Sequence, residues 1–128
     1  MGNAAHEKDP QGFLPLSESV FQIMLSLVDM DRHGYGIIKE VEARTNGRIS
    51  LAPGTLYGAI KRLRHQSLIA EVEEKVDLEL GDERRRYYML TGLGQRVVAA
   101  EAARIADLAR QAAAKQLLPG WSQMTGLV

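Results

Sequence analysis

The chain has 128 residues, 45% hydrophobic and 25% charged, with 12 glycines and 4 prolines, which is the length and balance of one globular domain with short tails. Sixteen basic residues offset sixteen acidic ones for a formal net charge of zero, and there are no cysteines. A disulfide framework, a thiolate zinc site and a cysteine nucleophile are therefore excluded, and attraction to nucleic acid has to come from local clustering of cations.

Residues 1 to 13 mix Gly, Pro, Asn and charge without periodicity and read as a flexible N-terminal arm. No apolar run reaches the roughly eighteen residues of a membrane span, and MGNAAHEKDPQG lacks the hydrophobic stretch of a signal peptide, so a cytoplasmic protein without membrane contact is expected. In LSESVFQIMLSLVDM, Ser17 or Ser19 can cap a helix whose apolar residues, Val20, Phe21, Ile23, Met24, Leu25, Leu27 and Val28, lie on nearly every side. A helix apolar all round is covered on two sides. One small domain has too little mass for both, which points to a second chain.

After the polar turn DRHG, Tyr35, Ile37, Ile38 and Val41 follow helical spacing, and Asn46-Gly47 supplies a left-handed stop. A third helix is expected from about 53 to 66, with Pro53 in its first turn and Leu56, Ile60 and Leu63 as one apolar stripe. Opposite that stripe fall Gly54, Gly58, Lys61 and His65, flanked by Thr55, Tyr57, Arg62 and Arg64. The segment carries three positive charges and no acid. A helix entering the major groove needs cations for phosphates, polar tips for base edges and small residues where backbone meets duplex. Two short helices joined by a turn, the second basic on its outer face, form a helix-turn-helix.

The period then changes. Leu68, Ile69 and Val72, followed by Arg85 to Leu90, are short β-forming segments around the charged stretch EEKVDLELGDER, and together they predict a two-stranded hairpin with a long tip. A hairpin after a helix-turn-helix is the wing of a winged helix. Arg84, Arg85 and Arg86 stand at the return from the tip, where a wing meets the phosphate backbone or minor groove. Seven acids against Lys75 between Glu71 and Glu83 offer these arginines internal partners instead.

Thr91 can cap a last helix running to the residues before Pro119-Gly120, with Leu93, Val97, Val98, Ile105, Leu108 and Ala112 on one broad face and Arg96, Asp107 and Arg110 opposite. This reads as a dimerisation helix over 91–118, followed by a tail at 119–128. Glu101 falls within the apolar face, and is expected either at its wet edge or facing a cation from a partner chain or ligand. The fold class is thus mainly α with a small β-hairpin: a winged helix-turn-helix domain over 14–90 plus the C-terminal dimerisation helix.

Catalytic chemistry finds no support. His6, His33 and His65 lie in an arm, a turn and a basic helix without the spacing of a metal or acid–base site, so no enzyme, metal or cofactor is expected. Gly92-Leu93-Gly94 begins like a dinucleotide fingerprint, but Val97 stands at its sixth position and no βαβ unit follows.

The stretch HGYGIIKEVEARTNGRISLAPGTLYGAIKRLRHQSLI, followed after a tip by RRRYYMLTGLGQ, resembles the PadR family of transcriptional regulators from about Leu25 to Gln95. Its HGY, PGTLY, KRL and RRxYYxLT blocks occur in the family's order. The short C-terminal part resembles the family's compact subclass. The resemblance implies a winged-helix homodimer that represses transcription, with first and last helices exchanging contacts between subunits, and an effector, a small aromatic or cationic molecule, that lowers DNA affinity. Drug-binding members carry an aromatic residue in mid-helix, whereas this chain has EAARIADLAR there, with Trp121 beyond the helix. The expected DNA contacts are Thr55, Tyr57, Gly58, Lys61, Arg62, His65, Arg84 and Arg85, on double-stranded DNA with a pseudo-palindromic operator. The expected dimer contacts are Val20, Phe21, Met24, Val97, Val98, Glu101, Ile105 and Leu108. The alternative is a winged helix that binds a protein partner through Tyr57 and its basic face, without DNA.

Overall fold

The computed structural model describes residues 8–76 and 84–121; the side chains of residues 73–76, Arg84 and Arg85 lie outside that description. A 3-10 turn, Pro10–Phe13, is followed by α1 (Glu18–Leu25), β1 (Arg32–His33), α2 (Gly34–Arg44), α3 (Pro53–His65), β2 (Ile69–Val76), β3 (Arg84–Leu90) and α4 (Gly92–Ala114).

Three of the four α-helices described begin where a side chain or ring serves a free N–H group. Ser17 accepts from Val20 at α1, the His33 ring from Gly36 at α2 and Thr91 from Gly94 at α4, while Pro53 opens α3 without a side-chain cap. Three helices end in one device. A residue with positive φ follows the cap, Asn46 after α2, Ser67 after α3 and Gln116 after α4. The next residue's N–H then reaches back to a carbonyl of the last turn: Gly47 to Glu42, Leu68 to Leu63 and Leu117 to Ala112. At α4 this device halts the helix at Ala114, four residues short of the expected end at 118.

The expected hairpin of β2 and β3 is present, and a third strand joins its edge. The sheet has three strands in the order β1-β3-β2, with Arg32 opposite Tyr88 and His33 opposite Tyr87. Two residues are too few to display an alternating pattern, and His33 also caps the next helix, so β1 is hidden within a helix start. Strand β2 continues to Val76, into the stretch expected as tip, with an irregularity in its pairing to β3 between Val72 and Lys75.

A single apolar cluster joins the elements: Ile23, Met24 and Leu27 from α1 and the turn after it, Ile37 and Val41 from α2, Leu56, Ile60 and Leu63 from α3, Leu68, Tyr88 and Leu90 around the sheet, and Val97 and Val98 from α4. Helix α1 is largely covered by its own chain, with Val20, Phe21 and Leu25 packed at the margin of that core. The 3-10 turn, within the stretch read as an arm, packs against α4, and Phe13 leans on the core. Arg44 ties α2 to α1 through Gln22 and the buried Ser26 hydroxyl.

Two glycines are dictated by close approach. A Cβ at Gly94 would stand 2.1 Å from the Leu68 carbonyl oxygen, so α4 crosses the end of α3 at backbone contact. A Cβ at Gly34 would stand 2.1 Å from the Tyr57 hydroxyl, which lies over the start of α2.

Candidate nucleic-acid interface

Helix α3 divides by face. Leu56, Ala59, Ile60 and Leu63 are buried, and Thr55, Tyr57, Lys61, Arg62, Arg64 and His65 are exposed. Thr55, Tyr57, Gly58, Lys61, Arg62 and His65 are thus placed on the outward side of one helix, as the sequence reading expects. Among the described residues Lys61, Arg62 and His65 take part in no ion pair. Gly58 is informative for what does not surround it: the nearest atom to an added Cβ would be the Arg62 guanidinium nitrogen at 3.7 Å. Mid-helix glycine costs about 1 kcal/mol relative to alanine, and no packing among the described residues requires it.

Tyr57 has a duty that sequence reasoning missed. It is 48% exposed, yet its hydroxyl end rests over the Gly34 backbone, locking α3 against the start of α2. The paired signal, a glycine before Tyr35 and an aromatic residue in the first turn of α3, can be seen in the sequence only once the contact is known.

Between α3 and the β2–β3 ladder lies an open cleft of about 670 Å³, lined by Tyr57, Lys61, Arg64, His65, Arg86 and Tyr88 among others. Among the described residues its acid is Glu71 of β2, which faces Arg64 at 3.1 Å and Arg86 at 3.6 Å. The internal pairing weighed for the wing is therefore present at Arg86. Burial pushes the Tyr88 phenol above its ordinary range, and the Glu71 carboxylate adds to the shift. Arg84 and Arg85 belong to β3, opposite Val76 and Lys75, and their side chains fall outside the described ones.

The opposite side of the domain is built differently. Of the residues expected at a subunit seam, Met24 and Val97 are fully covered by their own chain and Val98 is 5% exposed, so they have almost no surface left to offer. Val20 and Phe21 are half-buried, whereas Ile105 and Leu108 stand 40% and 50% exposed. Glu101 departs from its expected wet edge: it is 1% exposed. Its cation comes from its own helix. Arg104 donates two hydrogen bonds to the carboxylate, at 2.9 and 2.7 Å, and the Leu16 N–H donates a third at 3.3 Å. Arg104 holds the Glu101 carboxyl below its ordinary range against the opposing effect of burial, and the Leu16 N–H assists. Beside this pair opens a hollow of about 290 Å³ lined by Leu16, Phe21, Gln22 and Ile105 among others.

Among the described residues no group of His, Asp and Glu is arranged to hold a metal ion, and no helix is long and apolar enough to cross a membrane.

Comparison with known proteins gives one consistent picture. The model of the transcriptional regulator PadR-like family matches residues 23–100. An uncharacterised protein of Lysinibacillus sphaericus is 32% identical over 77 residues, a match that spans 57% of this chain and 64% of that protein, less than two thirds of its length. The structure of a PadR family transcription regulator from Clostridium difficile superposes with a TM-score of 0.64 at 24% identity, covering 78% of this chain and 99% of that one. Bacillus subtilis PadR in complex with operator DNA superposes with a TM-score of 0.57 at 17% identity, over 67% of this chain and 47% of that one.

Proposed function

This chain belongs to the PadR-like family of transcriptional regulators, a family of regulators and not of enzymes, and from that premise we propose that it is a sequence-specific DNA-binding repressor that acts as a homodimer in the cytoplasm. The observation that carries the reading is α3: four apolar residues hold it in the core while its other face leaves Lys61, Arg62 and His65 exposed around an unfilled glycine. Such a helix supplies phosphate contacts from its cations and backbone approach at Gly58, with Thr55 and Tyr57 beside them. Arg84 and Arg85 of the wing strand, whose side chains lie outside the described ones, are the further candidates for phosphate contact. A protein of similar fold, Bacillus subtilis PadR, has a structure in complex with operator DNA, which supports the DNA-binding reading.

Ile105 and Leu108, with Val20 and Phe21, form the subunit seam, and two α3 helices related by its two-fold axis read half-sites about 10 base pairs, or a multiple of that, apart. An effector, a small aromatic or cationic molecule at this seam, releases the operator. Two measurements test the proposal. Fragments of the source genome selected by the purified protein should share a pseudo-palindrome, and their affinity should fall steeply with salt. Leu108→Asp should yield monomers with most of the operator affinity gone. A dimeric Leu108→Asp protein with wild-type affinity would remove α4 from the seam, and affinity independent of salt would favour a protein partner over DNA.

A further inference from the structure

Among the described residues Glu71 is the acid that lines an otherwise basic cleft, and it is the point where helix and wing meet electrostatically. Its two carboxylate oxygens divide their work: Oε1 faces Arg64 of α3 at 3.1 Å, and Oε2 faces Arg86 of β3 at 3.6 Å. The acid is the least exposed member of the trio, with its side chain 24% exposed against 47% for Arg64 and 65% for Arg86. The arrangement is hard to explain as a stability device. Ion pairs open to solvent on the arginine side contribute about 0–1 kcal/mol each. What the carboxylate does change is the charge that the cleft offers to an incoming anion. Lys61 lines the same cleft, so among the described residues Glu71 is the charge that offsets Lys61, Arg64 and Arg86 there.

We propose that Glu71 is a specificity-determining and positioning residue for DNA binding: it holds Arg64 and Arg86 together and masks their charge, suppressing attachment to phosphate backbones of any sequence. This inference rests on the DNA-binding reading above. Nonspecific affinity comes almost entirely from neutralised phosphates, whereas operator affinity adds contacts to base edges. An acid set between two arginines lowers the first contribution more than the second, and so raises the ratio between them. It also fixes the two guanidinium groups in one place, so that the fully docked duplex meets them in register while a loosely attached one gains little.

The test is a salt series of equilibrium titrations, with the full chain, against a random-sequence duplex and a duplex selected from the source genome. Glu71→Gln should bind the random duplex several-fold more tightly, and should steepen the slope of log affinity against log salt by about 0.9 for each arginine released to a phosphate. The selected duplex should gain less, so the ratio of the two affinities falls. Glu71→Asp keeps the charge and should restore the wild-type slope. Asp107→Asn, on exposed α4, makes the same change in net charge away from the cleft and should leave the slope unaltered. Equal slopes for Glu71→Gln and wild type would overturn the inference while leaving the DNA reading intact, as would a Glu71→Gln effect no larger than that of Asp107→Asn. A wild-type chain that bound neither duplex would overturn both. If Glu71→Gln lowered the melting temperature markedly and bound less of every duplex, the role would be structural, and the inference would fall.

Discussion

The outer face of α3 and the packed side formed by α1, α4 and the N-terminal segment treat charge in opposite ways. On the packed side most guanidinium groups described have a counterpart: Arg104 meets the buried Glu101 and Arg110 meets Asp107 within α4, Arg44 of α2 meets Gln22 of α1 and its own Glu40, and Arg48 meets Glu18. On α3, Lys61 and Arg62 lie open, and only Arg64 is engaged, by an acid from the wing. Paired charge on one side keeps buried polar atoms satisfied; open charge on the other has no folding role and is available to a partner. The contrast predicts that substitutions on the packed side alter stability and spare the salt dependence of DNA binding, while those on α3 do the reverse.

The largest effect should come from Gly94→Ala. Its new methyl group would press into the Leu68 carbonyl, which is backbone and cannot rotate away, so α4 has to shift off the end of α3. Overpacking of side chains costs about 1–3 kcal/mol, and a clash with fixed backbone should exceed that. Gly34→Ala is the comparison, because the atoms it meets belong to the Tyr57 side chain. Its cost should be smaller, and should shrink further in a Gly34→Ala, Tyr57→Ala double variant. Urea denaturation of the four proteins checks both statements; a Gly94→Ala protein as stable as wild type would show that α4 can dock elsewhere.

Next is Glu101→Gln, which keeps the shape but loses the charge that binds Arg104. A hydrogen bond to a charged group contributes about 1.5–3 kcal/mol, and with Arg104 reaching solvent a loss of about 2 kcal/mol is expected. The sign of the pH dependence follows. Because the folded carboxyl titrates below its ordinary value of 4.5, its contribution is fully present above the unfolded value and disappears as pH falls through the folded one. Wild-type stability should therefore drop on acidification below about pH 5, and Glu101→Gln should flatten that limb. Parallel curves for both proteins would break the argument.

On the open side, Lys61→Ala should leave the melting curve in place and weaken binding to a selected operator by about 1–3 kcal/mol if the lysine touches a base edge. A contact to phosphate alone would weaken random and selected duplexes alike and lower the salt slope by about 0.9. Unchanged affinity for both would take Lys61 out of the interface.

How much of this division was legible follows from the range over which each feature acts. Helix starts at Ser17, Pro53 and Thr91, and the apolar stripe of Leu56, Ile60 and Leu63, are local patterns, and the four blocks HGY, PGTLY, KRL and RRxYYxLT between His33 and Thr91 gave their order. The Asn46-Gly47 stop was readable because both residue types favour positive φ. The equivalent stops at Ser67 and Gln116 were not, since neither residue advertises that conformation. Glu101 shows the remaining gap. Its position in an apolar stripe was visible, but its partners are a side chain three residues along the same helix and a backbone N–H 85 residues away. Met24, Val97 and Val98 were read as subunit contacts because amphipathic spacing marks a buried face without saying which chain covers it.

The smallest effect tests whether the two regions are independent. Thr91 stands at their joint: its hydroxyl accepts from the Gly94 N–H at 2.9 Å to start α4, and donates to the Ser67 carbonyl at 2.6 Å, just past the end of α3. Removing such a cap costs about 1 kcal/mol, so Thr91→Ala should lower stability by that amount, and Thr91→Ser should recover most of it. If the joint serves folding alone, DNA affinity measured well below the melting transition should equal that of wild type, because α3 keeps its own core contacts and its own terminating bonds. If α4 instead sets the orientation of α3 through this hydroxyl, operator affinity should fall in Thr91→Ala and return in Thr91→Ser, with the salt slope unchanged because no cation has moved. A change in slope would mean that the charged face itself had been rearranged, and the separation between a paired side and an open side would no longer hold.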